Sequence, residues 1–376
     1  FEDDTADLDI DPVRRAELLA ELERAVSGSL VPAWAEIISY LVDVRRMAGS
    51  DAGVWKLPDG DAYYAYLVRH ETSSDLTPDE IHQLGLAEVD RVDGELRALF
   101  GELGLPAGEP MGFSMNRIAV EGGNVSPTPA DPNAVVTANE EYLDRIEPTL
   151  GAVFGVLPAG ELAILPDPSG GGGGYYSPGS LDGTRPGAFY AATTGTVPRY
   201  SMPTLLHHEG MPGHHLQLTL AGELGLPLMR SVVHFNGYVE GWALYAEYLA
   251  KELGVYDDYA YGDAGRLHLE LLRAARLVVD TGIHHQQWTR EDARAYLNEA
   301  VGGWTWEVDR YVVMPGQALG YKIGMLEILR LRALAEERLG GGFDLAAFHD
   351  VVIGNGSLPL EILDGMMRDW LGGRGA

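Results

Sequence analysis

Apolar residues recur at intervals of three and four through most of this chain. Over Pro12–Ala25 they are Leu18, Leu19 and Leu22, and from Leu30 to Met47 they are Trp34, Ile37, Ile38, Leu41 and Val42. That is the period of an amphipathic helix with one inward face. Thr77-Pro78-Asp79-Glu80 marks another helix start, with Thr77 as N-cap, Pro78 in the first helical position and Glu80 closing a capping box. The helix it opens is predicted to reach about Leu99, with Ile81, Leu84, Val89, Val92 and Leu96 inward and Gly101 and Gly104 ending it. A further helix is expected from about Asn133 to Phe154. From Met202 onward the pattern is almost wholly helical, with a capping start at Thr289–Asp292 and one long helix over Gln317–Arg338. Glu109–Pro132 is crowded with Pro, Gly and Asn and reads as mostly loop. Glu161–Pro166 and Ala188–Thr193 read as short strands that form a small sheet beside a site, and the Gly170–Gly174 run between them as a flexible lid edge. The fold expected is mainly α with a minor β element. One domain holds a helical lobe over about 1–157, the β element over about 158–200 and a second helical lobe over about 201–376.

Composition narrows the functions. Hydrophobic residues make up 46% of the 376 and charged residues 22%, values of a globular chain. The formal charge is −29, from 56 acidic against 27 basic residues. Nucleic acid and anionic membrane surfaces are therefore excluded as expected partners, since both need a basic face. With no cysteine, disulfides, thiolate nucleophiles and thiolate-held metals are excluded too. No run of about 18 apolar residues stands out, so no membrane insertion is expected. The start, Phe1-Glu2-Asp3-Asp4, reads like the interior of a longer protein, which leaves a cytoplasmic or an exported location open.

The candidate chemistry lies in His207-His208-Glu209-Gly210-Met211-Pro212-Gly213-His214-His215. A hydrolytic Zn²⁺ site uses three protein ligands and leaves one position for water, and a carboxylate nearby takes the proton. The usual helical solution is H-E-x-x-H, but four residues after His208 stands Pro212. In a straight helix His214 would point about 120° away from His208. Pro212 and Gly213 supply the repair, because a bulge of two residues returns His214 to the face of His208. His215 shares that face in a straight helix but lies about two turns off. His207 faces about 100° away and is expected behind the ligands or exposed. Glu240 is the expected third ligand, and Glu247, seven residues on and on the same face, is expected to orient a ligand from behind. Glu209 is the expected base. Arg185, in a Gly/Pro-framed turn, either clamps a substrate carboxylate or anchors its own loop, and Tyr190 lines the same wall. Lys322 is expected to pair with Glu247 or with a substrate carboxylate. His234, His284 and His285 read as structural.

These residues carry a resemblance. His208–Gln217 matches H-E-x-x-P-G-H-H-L-Q and Glu240–Glu247 matches E-G-W-x-L-Y-x-E, hallmarks of the bacterial family named domain of unknown function 885. Asp182–Gly187 with Phe189-Tyr190, and Met314–Gly324, are further matches. That family is similar in turn to the gluzincin peptidases, which are mostly helical with a deep cleft. The resemblance implies one Zn²⁺ held by His208, His214 and Glu240, and favours His214 over His215 because the second ligand there follows a glycine. It implies that Tyr321 stabilises the oxyanion, with His215 and Gln317 beside the substrate. It also implies that a substantial N-terminal portion carried by full-length members is missing here.

The expected function is thus a zinc-dependent peptidase acting on short peptides or another small amide. A metal-dependent amidase or lyase on a non-peptide molecule, or a non-catalytic binding protein that keeps the helical shell, are the alternatives. The oligomeric state, a homo-oligomer included, stays open.

Overall fold

A computed structural model of the chain describes residues 10–374 apart from Ala107, Pro168 and 170–172. The described residues fall in two compact units, one ending at Asp51 and one beginning at Ala52. The first is helical: Pro12–Ala25, a π-turn over Val26–Leu30, and Val31–Met47. Trp34, Ile37, Ile38, Leu41 and Val42, expected inward, are all exposed. The Pro12–Met47 stretch contains an 18-residue window of mean hydropathy 1.4, so it has the length and composition of a membrane span, contrary to the expectation that no such run exists. Length and composition are the whole of that likeness.

The second unit is mainly helical around one buried spine. Its centre is the Ala260–His284 helix, buried from Gly262 to His284. Pro78–Glu102 packs along it, with Ile81, Val92 and Leu96 fully buried as expected and Leu84 and Val89 partly so. The capping box forms: Glu80 N–H donates to Thr77 Oγ1 (3.3 Å) and Thr77 N–H to Glu80 Oε2 (2.8 Å). Thr289 and Asp292 repeat it ahead of Arg290–Ala300. The 109–132 stretch departs from expectation, because it contains a helix, Met111–Glu121. Met111, Met115 and Ile118 bury one face of it, a helical spacing masked by the Pro, Gly and Asn around it.

The strands are β1 (Asn124–Val125), β2 (Leu162–Asp167), β3 (Gly174–Ser177), β4 (Gly187–Ala192) and β5 (Val197–Pro198). β1 pairs with β5, and the other three form a sheet in the order β2-β4-β3, with β2 parallel and β3 antiparallel to the central β4. β2 and β4 were expected. β3 was not: it starts at Gly174, the end of the glycine run, whose residues 170–172 lie outside those described.

Two helices carry the site, Asn236–Glu252 and Leu319–Leu339. They cross through glycines. A Cβ on Gly324 would lie 1.8 Å from the Gly237 carbonyl oxygen and 2.7 Å from Gly241 Cα, and one on Gly241 would lie 2.4 Å from Gly324 Cα. The backbones therefore touch, and Glu240 and Tyr321 are brought to one place. Gly324→Ala is expected to cost about 1–3 kcal/mol, as overpacking does. A lowered denaturation midpoint checks it, and an unchanged midpoint would mean the crossing yields freely.

Candidate metal centre

The helix carrying the His-Glu pair ends where the prolyl segment predicts a disturbance. Met202–Glu209 stops, Gly210–Gly213 forms a turn, and a second helix, His214–Glu223, starts. The result is a full break, where a bulge inside one helix was expected. Three contacts hold the turn. His207 Nδ1 bonds the Met211 carbonyl (2.9 Å), Trp242 Nε1–H donates to the Pro212 carbonyl (2.9 Å), and His215 N–H donates to the Gly210 carbonyl (3.2 Å). His207 is fully buried, and burial pushes its pKa down to about 4, so it is a neutral strut behind the ligands. Gly213 must be glycine, since a Cβ there would lie 2.0 Å from the His208 carbonyl oxygen.

The break brings His214 back to His208. His208 Nε2 stands 3.4 Å and His214 Nε2 3.5 Å from Glu240 Oε2, a buried oxygen with no hydrogen-bond partner among the described residues. Donors about 2.0–2.2 Å from a zinc ion at tetrahedral angles stand roughly 3.3–3.6 Å apart, so the three atoms fit one such ion. They are the one such ligand group among the described residues. Behind them, Glu247 Oε1 accepts from His208 Nδ1 at 2.7 Å, and this fixes Nε2 as the ring nitrogen turned to the metal position. Burial opposes a charge on His208, but Glu240 and Glu247 overcome it and raise its pKa to about 9. His214 Nδ1 has no partner among the described residues, so only His208 is oriented from behind. Glu247→Gln is therefore expected to weaken zinc binding about 10–100-fold, read by competition with a chromogenic chelator. An unchanged affinity would reduce Glu247 to a packing role.

Glu209, His208 and Tyr321 line one cavity of about 500 Å³. Glu209 Oε2 accepts from the Tyr176 N–H of β3 at 2.9 Å, so the strand missed by pattern reading aims the carboxylate. Tyr321 stacks on His208 with ring centres 6.1 Å apart. Burial first, and Glu240 second, raise its pKa, so it holds its proton. An adjoining cavity of about 530 Å³ shares Gly173, Tyr200, His268, Trp304 and Trp306 with the first.

Several expected substrate residues lie elsewhere. His215 is spent structurally, with Nδ1 on Tyr176 Oη (3.1 Å) and Nε2 on the Gly160 carbonyl (3.0 Å). Arg185 is exposed and donates to the Pro178 carbonyl (2.7 Å), so it anchors its own loop. Tyr190 stacks on Tyr175 across β4 and β3 (5.0 Å) and does not line the cavity. Gln317 holds Arg310 through its Oε1 (2.6 Å). Lys322 is fully buried and pairs with Glu270 (2.7 Å) and Glu88 (2.9 Å), with neither Glu247 nor the cavity in reach of its ammonium bonds. The residues that pattern reading missed are Tyr176, Arg273, Arg276 and Arg310. The last three line the cavity.

Residues 1–367 match the family described as "Bacterial protein of unknown function (DUF885)". The chain belongs to the DUF885 family. This DUF885 protein is 35% identical to a solved structure described as a putative lipoprotein from Colwellia psychrerythraea, with a TM-score of 0.92 over 98% of this chain and 65% of that one. It thus spans slightly less than two thirds of that relative. A putative lipoprotein of unknown function from Shewanella oneidensis shares the fold, with a TM-score of 0.73 at 19% identity over 97% of this chain and 68% of that one. No curated protein matches the chain.

Proposed function

We propose that this DUF885 protein is a zinc-dependent hydrolase, a peptidase that cuts short peptides. The observation that carries the reading is the trio His208, His214 and Glu240 at zinc-ligand spacing, with the Glu209 carboxylate beside it in an open cavity. Two imidazoles and one carboxylate are the donor set of hydrolytic zinc sites. When bound, zinc supplies Lewis acidity, which lowers the pKa of water and polarises a carbonyl. Glu209 takes the proton from the attacking water and returns it to the leaving nitrogen as the C–N bond breaks. The Tyr176 N–H holds one carboxylate oxygen and leaves the other free for this exchange. Tyr321, kept protonated by burial, donates to the oxygen on which negative charge develops. The two adjoining cavities, both lined by Trp304 and Trp306, give an extended chain room. The likeness of the sequence motifs to those of the gluzincin peptidases points to the same reaction class. The description of the Colwellia psychrerythraea neighbour as a putative lipoprotein supports an exported location for this chain as well.

Elemental analysis and a peptide library test the proposal together. About one zinc per chain and cleavage of short peptides by the zinc-loaded protein are expected. Absence of metal after zinc is supplied, or no cleavage of any library member, would overturn it.

A further inference from the structure

The wall of the cavity carries three arginines beside Glu209 and Glu307, in a chain that is strongly acidic overall. Arg273, Arg276 and Arg310 all line it, and all three gather round the Tyr321 phenol. The Arg276 guanidinium carbon lies 4.8 Å and that of Arg273 6.0 Å from the ring centre, and Arg310 Nη2 donates to Tyr321 Oη at 3.3 Å.

Their partners separate them. Arg276 gives Nη2 to Glu307 Oε2 (2.9 Å) and Nε to Tyr311 Oη (3.0 Å), both short bonds. Arg310 gives Nη2 to Gln317 and Tyr321, stands 3.5 Å from Glu307, and keeps about a third (32%) of its side chain exposed. Arg273 is the unspent one. Its side chain is only 8% exposed, its Nε has no partner among the described residues, Nη1 donates to the Leu269 carbonyl at 3.2 Å, and Nη2 reaches Glu247 Oε1 at a long 3.4 Å. Glu247 is already engaged by His208 at 2.7 Å, so it serves Arg273 poorly. A guanidinium offers five N–H donors and buries comfortably only against a matching acceptor.

We infer that the cavity binds a carboxylate of the substrate, held by Arg273 with Arg310. A carboxylate takes two parallel N–H bonds from one guanidinium, which is the geometry Arg273 lacks. Arg273 reaches the metal position through one shared carboxylate, Glu247, and an extended chain advances about 3.3–3.6 Å per residue. The bound carboxylate therefore lies close to the bond that is cut. This rests on the hydrolase reading for taking the cavity as the substrate's place. The carboxylate comes either from the peptide's C-terminus, which makes the enzyme a trimmer of chain ends, or from an acidic side chain.

Zinc-loaded Glu209→Gln protein is titrated with three acetylated tetra-alanine-based peptides: free acid, C-terminal amide, and amide with glutamate in the last position. The free acid is expected to bind about 10–100-fold tighter than the plain amide, the range of a charge-assisted bidentate pair. Equal gain with the glutamyl amide assigns the carboxylate to a side chain. Arg273→Gln, in the same background, is expected to collapse the ratio. A variant that merely disturbed His208 through Glu247 would weaken all three peptides alike and leave the ratio intact. Arg310→Gln, on a more exposed side chain, gives the second reading. Equal binding of all three peptides overturns the inference. Wild-type cleavage of acid and amide at the same rate would do so while leaving the hydrolase standing. Acid-selective binding without any cleavage would do the reverse.

Discussion

Glu240→Ala is expected to leave a folded protein that holds almost no zinc. Glu240 is the one carboxylate of the trio, and among the described residues its Oε2 has no partner except the two imidazoles. Two neutral imidazoles alone are a poor match for a dication, so the metal content should drop from about one per chain to under about a tenth. The fold should persist, because Glu240 is half-buried and outside the apolar core, while Trp242, Leu244 and Tyr245 on the same helix remain in it. Differential scanning fluorimetry provides the paired readout. Added zinc should raise the midpoint of the wild type and not that of the variant, since a ligand stabilises only the state that binds it. A variant retaining one zinc per chain would show that the ion sits elsewhere.

Glu209→Gln should behave in the opposite way, with the metal kept and turnover lost. The amide is close in shape to the carboxylate, and its oxygen still accepts from the Tyr176 N–H, so the side chain stays where it is. What it loses is basicity. General-base removal is worth about 10²–10⁴ in rate, so kcat should fall by that factor with zinc content unchanged. Retained turnover would move the base to another group. The remaining acid of the cavity wall, Glu307, is engaged by Arg276 and Tyr311.

The parts of this molecule that were legible in the sequence are those written in local terms. Thr77 and Glu80 cap a helix across three residues, and Pro212-Gly213 announces a disturbance of the helix within one segment. The Glu240–Glu247 pair is readable from seven-residue spacing alone, and both carboxylates land on His208. The rest depends on partners far along the chain. Lys322 meets Glu88 and Glu270, and nothing near it in sequence announces them. Arg185 sits in a motif that draws attention, yet its bonds stay within its own loop. The Ala260–His284 helix misleads most. Arg266, Glu270, Arg273, Arg276 and Asp280 recur at three- and four-residue steps, a stripe that ordinarily faces water. Here the helix is covered on every side, and the stripe forms buried ion pairs and one wall of the cavity. The signal was present, as charges in a helix too apolar elsewhere to lie on a surface.

The glycine crossing of the two site helices bears on how such a protein can be engineered. Replacing helical glycine by alanine is a standard route to thermostability, worth about 0.5–1 kcal/mol where the site is open. Gly94 and Gly222 have that space, with nothing within 4 Å of an added Cβ. Gly237, Gly241, Gly320 and Gly324 do not. A consensus or propensity score would treat all six alike. Applied without regard to contact, it would pry Glu240 from Tyr321 and yield a chain that stays folded with its candidate site out of register.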